Sequence, residues 1–191
     1  MWRAGSRPRH DHGGIVACNN QVVLEMFTDQ AREAVARAEQ EAREMGHAAI
    51  HVEHLLLGLL CDDESAVGRV LADFAVTVEP VRFLVRERLG LNTSLPSQRQ
   101  LPFSPDAKGV LRSAHRIGMG EPRPEHLLLA ILVRGQAGAC GILRDLGADP
   151  NRIRFETKKR TSPLSATSSD TKPGARVRSA IVKALGELDL G

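Results

Sequence analysis

Three histidines and a cysteine lie close together in the first half of the chain, and side chains of these types are common zinc ligands. They are His47, His51, His54 and Cys61. A second segment of similar sequence retains only the counterpart of His54, which is His126. A His-x-x-His pair alone supplies too few ligands for a closed tetrahedral site. We therefore interpret these histidines as structural or surface residues and predict no metal site.

The remaining reactive residue types form no catalytic arrangement. The sequence contains no Ser/His/Asp set in which a base would orient a nucleophile, and no G-x-x-x-x-G-K-[ST] phosphate-binding loop. Cys61 and Cys140 do not occupy equivalent positions in the two similar segments, and each is interpreted as a small packing residue. We predict that the protein is not an enzyme and binds no cofactor. A reactive Cys61 would be the starting point for the enzymatic alternative.

These residues lie within an internal sequence repeat. EHLLLGLL, which begins at Glu53, aligns with EHLLLAIL, which begins at Glu125. This register continues without a gap for 31 positions, ten of them identical, as far as Phe83 and Phe155. Upstream, where Phe27 aligns with Phe103, the register is shifted, so that the second copy lacks four residues, about one helical turn. The pattern indicates a duplicated structural unit.

Each copy has the pattern of four helices. Thr28 and Ser104 stand where a helix N-cap is expected, and the residue after Ser104 is a proline, which suits a first helical position. The leucine-rich second helix is apolar on all sides and is expected to be central. The sequence thus predicts an all-α fold of two pseudo-symmetric four-helix repeats, about eight helices, with flexible termini. In the first helix of the first copy one apolar stripe is formed by Ala31, Val35, Ala38, Ala42 and Met45.

The predicted boundaries follow from composition. Residues 1–22 form a disordered N-terminal arm, and residues 23–156 form the double-repeat domain, with repeat one at 26–90 and repeat two at 102–156. Residues 157–175 are rich in Ser, Thr, Lys and Pro and are predicted to be a disordered linker. Residues 176–188 have apolar spacing compatible with a short C-terminal helix.

Residues 26–155 resemble the N-terminal repeat domain of Clp unfoldases, and most closely the ClpC type. The resemblance rests on F-T-x-x-A, a long helix, G-H, and E-H-L-L-L-G-L, followed by a second copy in the same order. In that family the domain precedes ATPase modules and receives substrates and adaptors. The resemblance implies a stand-alone recognition protein without those modules, which delivers or sequesters Clp protease substrates. The implied partners are Clp unfoldase or protease components, their substrates and their adaptors.

The resemblance also implies a ligand site. ClpC-type domains bind phosphorylated arginine, and the matching positions are Thr28, Glu53, Ser104 and Glu125. A hydroxyl at a helix start lies beside unpaired backbone N–H groups, where a phosphoryl group could rest. A nearby carboxylate could pair with the guanidinium. The expected sites are Thr28 with Glu53, and Ser104 with Glu125. Each of these residues also has a purely structural interpretation, as a cap or as a favourable first-turn carboxylate.

The distribution of charge and apolar residues bears on nucleic-acid binding and on membrane association. The net charge is +3, and residues 156–191 account for it with seven basic and four acidic residues, whereas residues 26–155 carry 16 basic and 17 acidic residues. Nucleic-acid binding is therefore not expected of the folded unit, and a helical regulatory or nucleic-acid-binding protein that uses its basic C-terminal arm is the alternative. No membrane segment is apparent, and three sparse cysteines favour a reduced, cytoplasmic location.

Overall fold

The computed structural model describes residues 24–91, 100–134 and 138–161. These residues form eight helices: α1 (Asp29–Glu44), α2 (Val52–Leu60), α3 (Ala66–Asp73), α4 (Val78–Leu89), α5 (Pro105–Ile117), α6 (Pro124–Arg134), α7 (Ala139–Asp145) and α8 (Pro150–Thr161). Within these residues there is no strand, only an isolated parallel bridge between Ile50 and Phe103. The predicted all-α fold with four helices in each repeat is confirmed.

Helix starts and ends follow the local chemistry of the sequence. Thr28 and Ser104 are the N-caps of α1 and α5, and Pro105 occupies the first turn of α5. Gly46, after α1, and Gly147, after α7, have φ angles of +73° and +76°, a left-handed conformation that glycine adopts without a steric penalty. The predicted N-caps of the first helix in each repeat are therefore observed.

The four residues missing from the second repeat come from its first helix and the turn that follows. α1 has 16 residues and α5 has 13, and the connection to the next helix is seven residues long in repeat one and six in repeat two. The shorter connection includes Met119, a nearly fully exposed residue with a φ angle of +49°. The second repeat is therefore altered at the approach to α6.

One hydrophobic core joins both repeats. α2 is buried on almost every side, as its leucine content predicted, and the predicted stripe of α1 is buried as well. Gly58 lets α1 and α2 approach closely, since a Cβ atom at this position would lie 2.1 Å from the carbonyl oxygen of Ala34. The helices of the two repeats interleave: α4 packs against α7, and α8 packs against α3.

Two equivalent ion pairs join the interleaved helices. Arg88 Nη2 lies 2.5 Å from Asp145 Oδ2, and Arg160 Nη2 lies 2.6 Å from Asp73 Oδ2. In the alignment of the repeats Arg160 is the counterpart of Arg88, and Asp145 is the counterpart of Asp73. The duplication evident in the sequence is thus a pseudo-two-fold arrangement in space.

Helix α8 extends into the segment that composition predicted to be a linker. Residues 157–161 belong to the end of α8, so the predicted start of a disordered linker at 157 is wrong. Thr157 is buried and its hydroxyl donates to the carbonyl of Ile153, while Arg160 is held by Asp73. Composition alone missed these contacts. The rest of that segment, the arm at 1–22 and the segment at 176–188 lie outside the described residues.

Within the described part of the chain, no single helix is long and apolar enough to cross a membrane, and α6 and α7 reach that length only as a bent pair.

Candidate functional site

The hydroxyl of Thr28 lies where the two repeats meet. Its Oγ1 accepts from the amide of Ala31 at 3.4 Å, which is the expected N-cap bond of α1. The same hydroxyl donates to the carbonyl of Pro122 at 3.3 Å, and the backbone amide of Thr28 donates to that carbonyl at 3.1 Å. Thr28 is therefore fixed to the segment that leads into α6.

Ser104 repeats this arrangement on the other side. Its Oγ accepts from the amide of Ala107 at 3.2 Å, and its backbone amide donates to the carbonyl of Ile50 at 2.9 Å. Ile50 returns a bond, since its amide donates to the carbonyl of Pro102 at 2.8 Å. Ser104 is therefore fixed to the segment that leads into α2.

These bonds bear on how the candidate residues are grouped. The sequence predicts that Thr28 pairs with Glu53 and Ser104 with Glu125, each pair within its own repeat. In the structure the amide of Thr28 donates to the carbonyl of Pro122, three residues before Glu125, and the amide of Ser104 donates to the carbonyl of Ile50, three residues before Glu53. The start of each repeat therefore packs against the other repeat. The pairing of each hydroxyl with a carboxylate stays a prediction.

The two carboxylates lie in different surroundings. Glu125 is half-buried in the first turn of α6, and its Oε2 atom is out of contact with solvent and has no hydrogen-bond partner among the described residues. A carboxylate oxygen in this state favours a cationic donor. Glu53, also half-buried, lies against the start of α7, since a Cβ atom on Gly138 would be 2.0 Å from its Oε1. Each candidate site thus contains elements of both repeats.

The histidines of repeat one form a hydrogen-bonded chain. His54 Nδ1 accepts from the amide of His51 at 2.9 Å, and His54 Nε2 lies 2.8 Å from His47 Nδ1. His47 Nε2 lies 2.7 Å from the carbonyl of Gly90. Because His54 Nδ1 is an acceptor, its Nε2 carries the proton and donates to His47, which in turn donates to Gly90. All bonds are satisfied by neutral imidazoles.

This chain of histidines has a structural function. His54 is fully buried, and burial, reinforced by the neighbouring His47 and His51, lowers its pKa to about 3. His54 satisfies an amide at the start of α2, and His47 holds the end of α4 through Gly90. Sequence reasoning anticipated satisfied histidines but not this capping function. The recurrence of Glu-His at the start of both leucine-rich helices was the signal that could have indicated it.

Repeat two retains the bond from a backbone amide to the histidine but not the chain of histidines. His126 Nδ1 accepts from the amide of Arg123 at 3.1 Å, as His54 does from His51. Burial lowers the pKa of His126 as well. The shortened connection, residues 118–123, contains no histidine that could take the place of His47. Nowhere in residues 24–91, 100–134 and 138–161 do three or more His, Cys, Asp or Glu side chains form a group that could hold a metal ion.

An ion pair with a buried carboxylate joins the C-terminal part of α1 to α4. Glu41, which is 5% exposed, accepts from Arg82 Nε at 2.9 Å and from Arg82 Nη2 at 2.5 Å. The Cys61 thiol lies 3.9 Å from Glu41 Oε1, and burial together with the Glu41 carboxylate raises the pKa of this thiol. A raised pKa leaves little thiolate near neutral pH, which agrees with a packing residue.

Comparison with known proteins places this arrangement in a family. Residues 26–120 match the model of the Clp repeat (R) N-terminal domain. The rice chaperone protein ClpC1, chloroplastic, is 34% identical over 156 residues, which is 79% of this chain and 16% of that protein. A chloroplastic ClpA homologue of the Clp protease ATP-binding subunit from Brassica napus is 33% identical over 140 residues, 71% of this chain and 16% of that protein. The chain thus spans 16% of the length of these curated relatives.

Solved structures share the fold. The N-terminal domain of ClpD from Arabidopsis thaliana superimposes with a TM-score of 0.62 at 24% identity, covering 73% of this chain and 99% of that one. The ClpV N-domain in complex with a VipB peptide superimposes with a TM-score of 0.58 at 19% identity, covering 88% of this chain and 100% of that one.

Proposed function

The chain belongs to the Clp repeat N-terminal domain family, and from this we propose that it recognises substrates or adaptors of a Clp-type unfoldase or protease. Its described residues form the non-catalytic binding domain of that family. A ClpV N-domain of the same fold has been solved in complex with a peptide of VipB, which supports peptide binding as the activity. The free thiols of Cys61 and Cys140 support a reducing, cytoplasmic setting for this activity.

We propose further that the ligand includes phosphorylated arginine. The observation that carries this proposal is the buried Oε2 atom of Glu125, which has no partner among the described residues. A carboxylate oxygen sheltered from water at the start of a helix is suited to the N–H donors of a guanidinium. An arginine that is phosphorylated on one terminal guanidinium nitrogen still has N–H donors on the other two nitrogens. Glu125 would therefore bind the guanidinium part of the ligand.

The phosphoryl end would lie toward the start of α1. The first turn of a helix has backbone amides without intrahelical partners and the positive end of the helix dipole. Thr28 fixes this end of α1 to the segment before α6, so that an anion-binding element and a carboxylate come from opposite repeats. Ser104 and Glu53 supply the same pair of elements for a second site.

A protein of this kind acts on the supply of ligands to the unfoldase. By binding marked proteins it either delivers them to a Clp ATPase or withholds them from it. The two outcomes differ in the effect on degradation: delivery accelerates it at low concentration of this protein, whereas sequestration slows it in proportion to concentration. A degradation assay with a ClpC-type protease and a substrate phosphorylated on arginine separates them.

Calorimetric titration with phosphoarginine tests the site. Wild type is expected to bind, Glu125→Gln and Glu53→Gln to bind more weakly, and the double variant not at all. Glu121→Gln is the matched control, because Glu121 is an exposed carboxylate close to Glu125 in the chain. If folded wild-type protein gives no heat of binding, or if Glu121→Gln weakens binding as much as Glu125→Gln, phosphoarginine is rejected as the ligand. Peptide or adaptor binding would then remain as the proposed function.

A double-mutant cycle tests the pairing between repeats. Thr28→Val should be non-additive with Glu125→Gln if both side chains serve one ligand, and additive with Glu53→Gln, which belongs to the other site. The reverse pattern would restore pairing within each repeat.

A further inference from the structure

Two phenylalanines at equivalent positions of the repeats are exposed to solvent. Phe83 on α4 is 62% exposed, and Phe155 on α8 is 67% exposed. The two residues align with each other in the register that pairs Glu53 with Glu125. Most of the other large apolar side chains described are buried in the common core. Exposed large apolar side chains of this kind mark interaction surfaces when they line a concave site with polar surroundings.

Phe155 lines such a concave site. A cleft of about 250 Å³ is formed by Phe74, at the end of α3, and by Asn151, Arg152, Phe155 and Glu156 of α8. The guanidinium carbon of Arg152 lies 5.9 Å from the centre of the Phe74 ring, a cation–π distance that positions the arginine at the cleft. Phe74 is half-buried, so the floor of the cleft is apolar and one wall is cationic.

The helix that carries Phe155 is strongly basic. Between Pro150 and Thr161 there are five basic residues and one acidic residue, Glu156. Residues three or four positions apart share a face of a helix, so Arg152, Lys158 and Lys159 flank Phe155 on its own face. Lys158 and Lys159 are exposed. The basic charge predicted for a linker therefore begins on the folded domain, around an exposed aromatic ring.

The equivalent surface at Phe83 differs in charge. In the alignment of the repeats, Pro80 takes the place of Arg152 and Glu87 takes the place of Lys159, whereas Arg86 keeps the positive charge of Lys158. The two phenylalanines thus have similar exposure but different electrostatic surroundings. A substitution of Phe83 is therefore a control for a substitution of Phe155, because it removes an equally exposed ring from different electrostatic surroundings.

We propose that the Phe74–Phe155 cleft is a docking site for an acidic segment of a partner protein that carries aliphatic side chains between its carboxylates. An aliphatic side chain would enter the cleft against Phe74 and Phe155, and the carboxylates would pair with Arg152, Lys158 and Lys159. The residues of this cleft are different from those of the proposed phosphoarginine sites, and the inference does not depend on them.

The lining favours a protein segment over a nucleic acid. The carboxylate of Glu156 repels phosphates, and Arg152 covers the ring of Phe74, which removes one face on which a base would stack. An acidic peptide can avoid Glu156 because its charges are spaced along the chain and its apolar side chains can occupy that part of the cleft. Charge complementarity then gives the interaction its salt dependence.

Fluorescence anisotropy with full-length protein tests this site. The probe is a fluorescein-labelled peptide of about four helical turns with Leu and Glu at helical spacing, and the comparison peptide has Lys in place of every Glu. We expect saturable binding of the acidic peptide alone, weakened about tenfold or more by Phe155→Ala and by Lys158→Glu combined with Lys159→Glu. Phe83→Ala should bind as wild type does, and circular dichroism verifies that each variant is folded.

Five results would overturn the proposal. The first two are no binding of the acidic peptide and equal loss in Phe83→Ala. Binding of labelled oligothymidylate in place of the peptide would indicate a nucleic-acid surface. Peptide binding that appears only after Leu188→Ser and Leu190→Ser would indicate that the last residues of the chain, which include Glu187 and Asp189, occupy the cleft. Concentration-dependent dimerisation in sedimentation that Phe155→Ala abolishes would assign the cleft to a second copy of the chain.

Discussion

The amide of Ser104 donates to the carbonyl of Ile50 at 2.9 Å, and the amide of Thr28 makes the equivalent bond to Pro122 at 3.1 Å. Each bond joins the beginning of one repeat to the approach of the Glu-His helix in the other. Each repeat therefore helps to position the start of the Glu-His helix in the other.

The cap hydroxyls contribute to stability independently of any ligand. Ser104→Ala removes the acceptor for the amide of Ala107 and should lower the free energy of unfolding by about 1 kcal/mol. Urea unfolding followed by circular dichroism measures it. Thr28→Ser, which keeps a hydroxyl at the other cap, should remain close to wild type, and a loss there as large as that of Ser104→Ala would argue against the capping explanation.

The buried pair of Glu41 and Arg82 should be among the most sensitive polar positions. Glu41→Gln removes the charge that faces the half-buried guanidinium of Arg82, which keeps Glu79 as a partner, and should lower the free energy of unfolding by about 2 kcal/mol. Arg32→Gln breaks an exposed pair with Asp29 and should change it by less than about 0.5 kcal/mol. Thermal and urea unfolding of both variants provide the comparison, and similar small losses would show that Glu41 is not energetically coupled to Arg82.

Stability should fall in mild acid because of His54. Its pKa is lowered from 6.5 to about 3 in the folded protein, so the unfolded chain binds a proton first as the pH decreases. The contribution of neutral His54 to the free energy of unfolding is intact above pH 6.5 and is lost progressively toward pH 3. Between about pH 7.5 and about pH 5 this loss amounts to about 2 kcal/mol. His54→Gln retains an acceptor for the amide of His51 without titrating in this range. Its unfolding free energy should depend less on pH, and an unchanged pH dependence would contradict this account.

Cys61 should react slowly with alkylating agents although its residue is exposed. Burial of the thiol and the neighbouring Glu41 raise its pKa, so little thiolate is present at neutral pH. Glu41→Gln removes the carboxylate and leaves Arg82 nearby, which should increase the rate of iodoacetamide labelling at Cys61. Peptide mass spectrometry assigns the label by site. Rapid labelling of wild-type Cys61 would instead indicate an activated thiol and reopen an enzymatic function.

The sequence predicted the helices well because their signals are local. The N-caps at Thr28 and Ser104, the proline after Ser104 and the leucine-rich α2 depend on residues within one or two turns. The gap-free duplication that pairs Glu53 with Glu125 further indicated that both repeats contain the same number of helices.

The contacts between the two repeats could not be obtained in the same way. They join residues far apart in the chain, such as Thr28 and Pro122, and a repeat pattern does not predict them. The end of α8 was missed for a related reason, since Arg160 is held there by Asp73 of the other repeat. The arrangement of Glu41 with Arg82 likewise had no local signal.

The interleaving of α4 with α7 and of α8 with α3 has an evolutionary consequence. In a symmetric dimer each subunit supplies the same element to its partner, and the paired bonds Arg88–Asp145 and Arg160–Asp73 have this reciprocal form within one chain. Fusion of two identical subunits would produce such a chain directly. Once fused, the two halves were free to diverge, and the lost turn before α6 and the different charges around Phe83 and Phe155 are differences that an obligate homodimer could not have acquired.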